Sequence, residues 1–394
     1  MSYIRDRIAA RHYATPHPYD VIVYTEGGHY YAKDSRGNLI CMDSPTACIQ
    51  EAVNYVYNNN GGGVVFIKSG VYTILNPINI NYNAAIALVG ESPFMQTARD
   101  NENGVTYLRY IGPAGTSNSP VSVINGDSGS FLSNQYVLLK DITLGLIGKS
   151  YPYTIAINLN RVNKFWVERV RVFADNRYSL GSQSYGFYTN AQGDNGGVMI
   201  DTYSQYFYAA YALYLDHFVA IRPQALYSTL GFWFNYAGSE IMLINPHALD
   251  CTTSSFHITL TFAGSATLIE PYSEGTPTYD YYFSGSNELV TLINPRASRT
   301  PPVVYFDSSI NFSNINIVGG TITTKNSGVA TIGANATSVT VNHGLVCTPS
   351  KVLITPLAQP SGSIWVSGIT SSQFTINISS APTANLPVAW YAEC

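Results

Sequence analysis

Short apolar runs, each closed by one polar residue and then a proline or glycine, recur along the middle of the chain. Ile241-Met-Leu-Ile244, Thr267-Leu-Ile269, Val290-Thr-Leu-Ile293 and Ile315-Asn-Ile-Val318 are rich in β-branched residues and bounded by turn formers, so they read as strands. The closing mark repeats as Ile221-Arg222-Pro223, Ile244-Asn245-Pro246, Ile269-Glu270-Pro271, Ile293-Asn294-Pro295 and Val318-Gly319-Gly320, at steps of 23, 25, 24 and 25 residues. A second mark runs in phase with it: Ala237-Gly238-Ser239, Ala263-Gly264-Ser265, Ser284-Gly285-Ser286 and Asp307-Ser308-Ser309. No helical pattern fits inside such a repeat, a propeller blade needs about 40 residues, and the leucine-rich frame is missing. The pattern predicts a solenoid of β rungs, paired in parallel about 4.8 Å apart, with inward side chains forming one continuous core.

Upstream the marks loosen. Val137–Leu144 and Phe165–Val172 alternate apolar and polar residues and lie 28 apart, and Gly197–Asp201 follows with Ile200 expected beside Val170. The longer steps predict loops at 174–197 and at the tyrosine-rich 203–218, and insertions in solenoids gather on one face. A solenoid end needs a cap. Ser44-Pro45 reads as N-cap and first helical residue, Ile49, Val53 and Val56 fall on one helical face, and Asn58–Gly61 ends the helix. The resulting organisation is an arm at 1–19, a hairpin and capping helix at 20–63, a parallel β-helix at 64–326 with room for roughly eleven rungs, and a C-terminal module at 327–394. In that module the period is lost, and runs such as Lys351–Pro356, Gln373–Ile378 and Val388–Glu393 predict a small antiparallel β-sandwich. The expected class is all-β.

Composition narrows the setting. Charged residues are only 11% of the chain, and polarity is carried by Asn, Ser, Thr, Gly and 31 Tyr. Tyrosine covers apolar surface and still offers a hydroxyl, a trait of external β proteins and of surfaces that meet sugars. The net charge of −4 comes with no basic stripe, which argues against nucleic acid as a partner. No run of 18 apolar residues predicts a membrane span. Met1–Arg11 has no apolar core and is not expected to be a secretory signal. Of the five cysteines, Cys41 with Cys48 and Cys347 with Cys394 are the pairs within reach by position, free thiols being the alternative, and Cys251 is the odd one. No Cys/His spacing suggests zinc, and no metal or other cofactor is expected. For calcium only the Asp100–Gly104 turn offers oxygens, and a plain surface turn is the stronger reading of it.

Val21–Lys33, with its Tyr30-Tyr-Ala-Lys33 strand, then Cys48–Val53, then Gly62–Ile74 resembles the opening of pectate-lyase-superfamily β-helix proteins, above all those of archaea and their viruses. The resemblance implies a right-handed, single-stranded parallel β-helix. The C-terminal module, with His343-Gly-Leu345, Thr355-Pro356 and Trp390-Tyr-Ala-Glu393, is similar to end modules of viral tail fibres and spikes. Such likeness implies a tail-spike or fibre on a virion that recognises host surface glycans, with or without degrading them, as a homotrimer, joined to other tail proteins through the N-terminal arm. A fold of this kind also hosts polysaccharide lyases, glycoside hydrolases and inert surface-layer proteins, so an extracellular enzyme and a secreted structural protein stand as alternatives.

The sequence carries few marks of catalysis. The Asn-Thr-Asp, Asp-Asp and Arg-Ile-Lys motifs of polygalacturonases are absent, and no stretch shows the acidic cluster of a calcium-dependent lyase. The acid/base candidates are Asp216, His217, Glu240, Glu270 and Asp280. Asp201, Arg222, Asn245, Glu270 and Asn294 stack on successive rungs. They form either a turn ladder or a groove edge in which Arg222 and Glu270 grip sugar. Tyr203, Tyr206, Tyr208, Tyr211, Tyr281 and Tyr282 are the aromatic candidates for stacking on sugar rings, set against the alternative that half of them point into the core. Asn311, Asn335 and Asn377 begin N-x-Ser/Thr sequons.

Overall fold

The conformation of one residue per rung explains the repeat. Asp141, Arg169, Asp201, Arg222, Asn245, Glu270 and Asn294 all adopt a left-handed backbone, with φ between 50° and 56°, and Gly319 continues the series at 69°. Asn, Asp and Gly enter this region at least cost. Each of these residues turns the chain sharply from one strand into the next. A proline whose missing N–H is not needed follows at Pro223, Pro246, Pro271 and Pro295. The Ile-x-Pro mark of the sequence is therefore the mark of this turn.

The computed structural model describes residues 18–92, 104–175, 183–190, 196–260, 264–285, 289–307, 310 and 314–394. Over this range the chain is a right-handed parallel β-helix with three strand positions per rung. Strands of the first position run from Ile78–Asn79 through Thr154–Asn158, Ser254–Leu260 and Tyr279–Gly285 to Val304–Phe306. The second position is a ladder of nine consecutive parallel pairings, from Gly62–Ile67 to Ile315–Val318, hence ten strands rather than eleven. The third is a separate 9-stranded sheet from Gly70–Ile74 to Arg296–Ala297. Ile221, Ile244, Ile269, Ile293 and Val318 lie side by side in the second ladder, in the register that the period required.

Two upstream expectations are corrected. Ile200 pairs with Glu168, not with Val170, so that rung is longer than the pattern suggested. The tyrosine-rich stretch is strand rather than loop: Tyr203–Gln205 belongs to the third ladder, and Ala209–Ile221 runs through the first and second positions without a break. Tyr185–Asn190, inside the other expected loop, is also a strand. Ala263, Ser286, Ser308 and Ser309 of the second sequence mark lie outside the described residues, as does the Asp100–Gly104 turn apart from Gly104.

The core is a column of inward side chains. Phe187, Tyr211, Phe232, Phe256 and Tyr281 stack on consecutive rungs, with ring centroids 4.8–5.3 Å apart and planes within 14° of parallel. A rung spacing of about 4.8 Å falls within the centroid distances of offset-stacked rings, so one aromatic per rung builds a continuous stack. The buried Tyr hydroxyls are satisfied by bonds to Thr202 Oγ1 (3.0 Å) from Tyr211 and to the Pro271 and Arg296 carbonyls (both 2.9 Å) from Tyr281.

The N-terminal end is closed by the hairpin Val21–Glu26 and His29–Asp34, by the strand Leu39–Met42, and by helix α1 (Ile49–Asn60), which buries Ile49, Ala52, Val53 and Val56. The helix starts later than Ser44-Pro45 suggested. Ser44 instead accepts the Cys48 N–H (2.9 Å) through its Oγ and closes the preceding turn, while Gly61 ends the helix in a left-handed conformation as expected. Val21–Glu26 also pairs in parallel with Gly62–Ile67, so the hairpin extends the solenoid. At the other end, residues 325–393 form two three-stranded antiparallel sheets around Ile332, Phe374, Ile376, Val388 and Trp390. Cys41–Cys48 and Cys347–Cys394 are disulfide-bonded, and Cys251 is buried and free.

A candidate glycan groove on the second ladder

Alternation gives every strand of the second ladder three outward residues, and stacking turns these into three parallel columns. The middle column is apolar, with Leu138, Trp166, Val198, Val219 and Met242 in register. One flank runs Tyr136, Lys164, Gly196, His217, Glu240, Ser265. The other begins with Lys140 and Glu168 and continues as Ile200, Ile221 and Ile244. The middle column, the flank from Tyr136 to Ser265, and Lys140 with Glu168 line a groove of about 630 Å³, while Ile200, Ile221 and Ile244 lie outside it. Gly197, on the inward side of the same strand, clears the space that Phe165 fills. A Cβ there would lie 2.1 Å from that ring.

Trp166 is the aromatic floor of the groove. Its indole Nε1–H donates to Glu168 Oε2 (3.0 Å), which fixes the ring plane. Glu168 is itself held by Lys140 Nζ (3.2 Å) and by Arg169, whose guanidinium also forms a bidentate pair with Asp141 (2.6 and 2.9 Å). Burial pushes the Glu168 carboxyl up, but the bonds from Trp166 and Lys140 and the charges of Lys140 and Arg169 outweigh it and hold the group below the usual carboxylate range. Glu168 is thus a fixed anion and a poor proton donor near neutral pH.

His217 and Glu240 stand on adjacent rungs of the opposite flank, both exposed. The groove therefore holds two carboxylates, Glu168 and Glu240. They are four residues apart along a strand and three rungs apart along the axis, which places their α-carbons on the order of 19 Å from each other. Glycoside hydrolysis by paired carboxyls needs a gap of roughly 5–9.5 Å. The arrangement suits binding: an aromatic platform, apolar neighbours, and charged donors and acceptors at both edges.

No protein-family model and no curated protein matches the chain. Several solved structures are similar to the chain at low identity. A mutant tailspike protein of E. coli bacteriophage HK620, in complex with a hexasaccharide, is 11% identical over 91% of both chains, with a TM-score of 0.41. The ORF18 protein of Geobacillus virus E2 is 13% identical, covering 87% of this chain and 72% of its own, with a TM-score of 0.39. The A-module of mannuronan C-5 epimerase from Azotobacter vinelandii is 13% identical, covering 70% and 91%, with a TM-score of 0.31.

Of the sequence candidates, the groove gathers only His217 and Glu240. The side chain of Asp216 lies outside the described residues. Asp280 is fully buried and bonds Arg299 Nε (2.5 Å), Ser273 Oγ (2.6 Å) and the Val303 N–H (2.7 Å). It is a structural anchor, not an exposed acid. Arg222 is locked by a bidentate pair with Asp201 (2.6 and 2.8 Å), and Glu270 sits between Asn245 and Asn294 in the left-handed turns. The ladder of polar residues is therefore a turn ladder, because each rung needs a residue that tolerates positive φ. It also extends upstream to the Asp141–Arg169 pair.

The tyrosine candidates are largely corrected. Tyr211 and Tyr281 belong to the core stack at 1% and 0% exposure. Tyr203 is covered by the Arg171 guanidinium, 4.8 Å from its ring centre. Tyr206 occupies a left-handed turn, tilted against Tyr227 at 5.4 Å. Tyr208 packs edge-on against Tyr185 and Trp233 over the buried Ala209, Ala212 and Leu230, forming a small core of its own outside the solenoid. Tyr282 has His257 on one face (4.3 Å) and Tyr305 on the other (4.8 Å). A ring with both faces covered offers a sugar only its edge. Trp166, the aromatic that sequence reasoning passed over, has no ring against it among the described residues. Its strand alternation was visible, but the run Lys164-Phe-Trp-Val-Glu168 looks like any other rung.

His257 makes this outer aromatic column sensitive to acid. Burial depresses its pKa to about 4, and its Nδ1 is buried without a hydrogen-bond partner. The folded state thus keeps the ring neutral, while the unfolded chain takes up a proton near the ordinary value. The contribution to stability is complete above about pH 6.5 and declines as pH falls towards 4, by about 2–3 kcal/mol. Thermal unfolding between pH 7 and 4 is expected to show a smaller loss in His257→Phe than in the wild type. Parallel curves would show that the imidazole is solvated.

Proposed function

We propose that the chain is a tail-spike or fibre protein on the surface of a virion that adheres to glycans of the host envelope through the groove over Trp166. The observation that carries this reading is the indole itself: fixed by Glu168, free of other rings, and flanked by charged groups on two sides. An aromatic held in this way takes the C–H face of a sugar, and the flanking groups take its hydroxyls. A homotrimer fits the exterior, since Ile200, Ile221, Ile244, Ile269 and Ile293 make a continuous, half-buried apolar ridge that a second copy would cover. In this reading residues 1–19 attach the spike to other tail proteins, 20–63 cap the solenoid at 64–326, and 327–394 form its distal module.

The test is a fluorescence titration with host envelope polysaccharide, together with light scattering and an assay for new reducing ends. Trp166→Ala is expected to weaken binding about five- to thirtyfold, the stacking energy of one ring being about 1–2 kcal/mol. The mass is expected to be that of a trimer, and no reducing ends should appear. Equal affinity in wild type and variant would remove the groove from the function. Release of sugar would turn the reading towards a polysaccharide lyase or glycosidase.

A further inference from the structure

We infer that the groove selects an anionic sugar and seats its carboxylate over Gly196, between Lys164 and His217. This rests on the glycan reading above and names the class of glycan. Lys164, Gly196 and His217 follow one another on the same flank, so the absent side chain at 196 leaves a gap two rungs wide, about 9.6 Å between the flanking α-carbons. Among the described residues no heavy atom lies within 4 Å of the place a Cβ would take on Gly196. A carboxylate with one charge-assisted bond of about 2.8 Å to each side fits such a gap.

The flanking groups are available for it. Lys164 and His217 are both exposed, and among the described residues neither is engaged in an ion pair or side-chain hydrogen bond. Lys140, by contrast, is committed to Glu168. Glu240 stands one rung beyond His217, on the side away from the gap, so the nearest charges an entering anion meets are the two donors. Trp166 is one rung and two residues from Gly196, roughly 8 Å between α-carbons. That is the reach of one pyranose ring lying on the indole with its exocyclic carboxylate over the gap. A sulfate ester would offer the same charge, but its three oxygens need donors on a third side, where Gly196 supplies none.

The experiment follows the imidazole of His217 by carbon-13 labelling of histidine. The chain has 7 His, and His217→Asn assigns the signal. Glucuronate is expected to shift this resonance saturably, and methyl glucoside at the same concentration is not. Lys164→Gln should weaken the glucuronate response at least about threefold, as loss of one exposed charge pair allows. Gly196→Val should abolish the response without unfolding the chain, because Gly196 has ordinary strand geometry. Equal shifts with glucuronate and methyl glucoside, or variants that titrate like the wild type, would overturn the anion seat. So would a stronger response to glucose 6-sulfate than to glucuronate. Host polysaccharide binding that depends on Trp166 but survives Gly196→Val would remove the anion seat and leave the glycan groove standing.

Discussion

Asp280→Ala is expected to lower the stability of the chain by about 3 kcal/mol, measured by urea unfolding, while leaving glycan binding unchanged. The carboxylate is fully buried and joins three partners from two segments: Ser273 from the third ladder, and Arg299 and the Val303 N–H from the connection that follows the next rung. Removing it leaves the Val303 N–H and the Ser273 hydroxyl without that acceptor, and strips Arg299 of its counter-charge. Arg299 is partly exposed and keeps the Pro277 carbonyl at 2.9 Å, which limits the loss. The reverse change, Arg299→Ala, leaves a charge buried with only neutral donors and should cost as much or more. An unchanged urea midpoint in Asp280→Ala would show that the group is hydrated, and would return it to the list of candidate acids.

Phe232→Ala should be among the most damaging single substitutions in the solenoid, with a loss of about 3–5 kcal/mol. Phe232 lies in the middle of the core stack, between Tyr211 at 4.8 Å and Phe256 at 5.3 Å, and is fully buried. Its removal opens a cavity and breaks two stacked contacts at once, and neighbouring rungs are fixed by their own ladders and cannot collapse into the space. Tyr282→Ala is the matched control. It deletes a ring of similar size from the outer column of the same strand position, where water can replace it, and about 1 kcal/mol is the expected cost. Comparable losses in the two variants would mean that the outer aromatic column is as closed as the core.

The two substitutions also separate what was legible in the sequence from what was not. The fold class was legible because a solenoid is quasi-one-dimensional: each rung repeats the same local problem, and the solution leaves a mark at the left-handed turn. Asn245, Glu270 and Asn294 could be placed on one ladder from spacing alone, and the structure puts them there. The cap was legible in the apolar face Ile49, Val53, Val56 and in Gly61, although Ser44 serves the turn before the helix. Upstream, where steps lengthen, spacing no longer fixed register, and Ile200 came out two residues from its expected partner.

The candidate site was legible only in fragments. A tyrosine-rich stretch says that aromatics are present, and not which way each one faces. Strand alternation sends Tyr211 and Tyr281 inward and Tyr282 outward, and the register of the neighbouring rungs then covers both faces of Tyr282. Asp280 looked like other acidic singletons until the connection carrying Arg299 and Val303 closed over it. Lys164 and Trp166 share a strand, but His217 and Glu240 are far from them in sequence. They meet because the parallel ladder brings every outward position within about 4.8 Å of its neighbour on the next rung. Sequence by itself determined the rung, its turn and its core. Tertiary structure decided which aromatic ring stays free and which charges flank it, because both depend on pairing between rungs that local pattern does not encode.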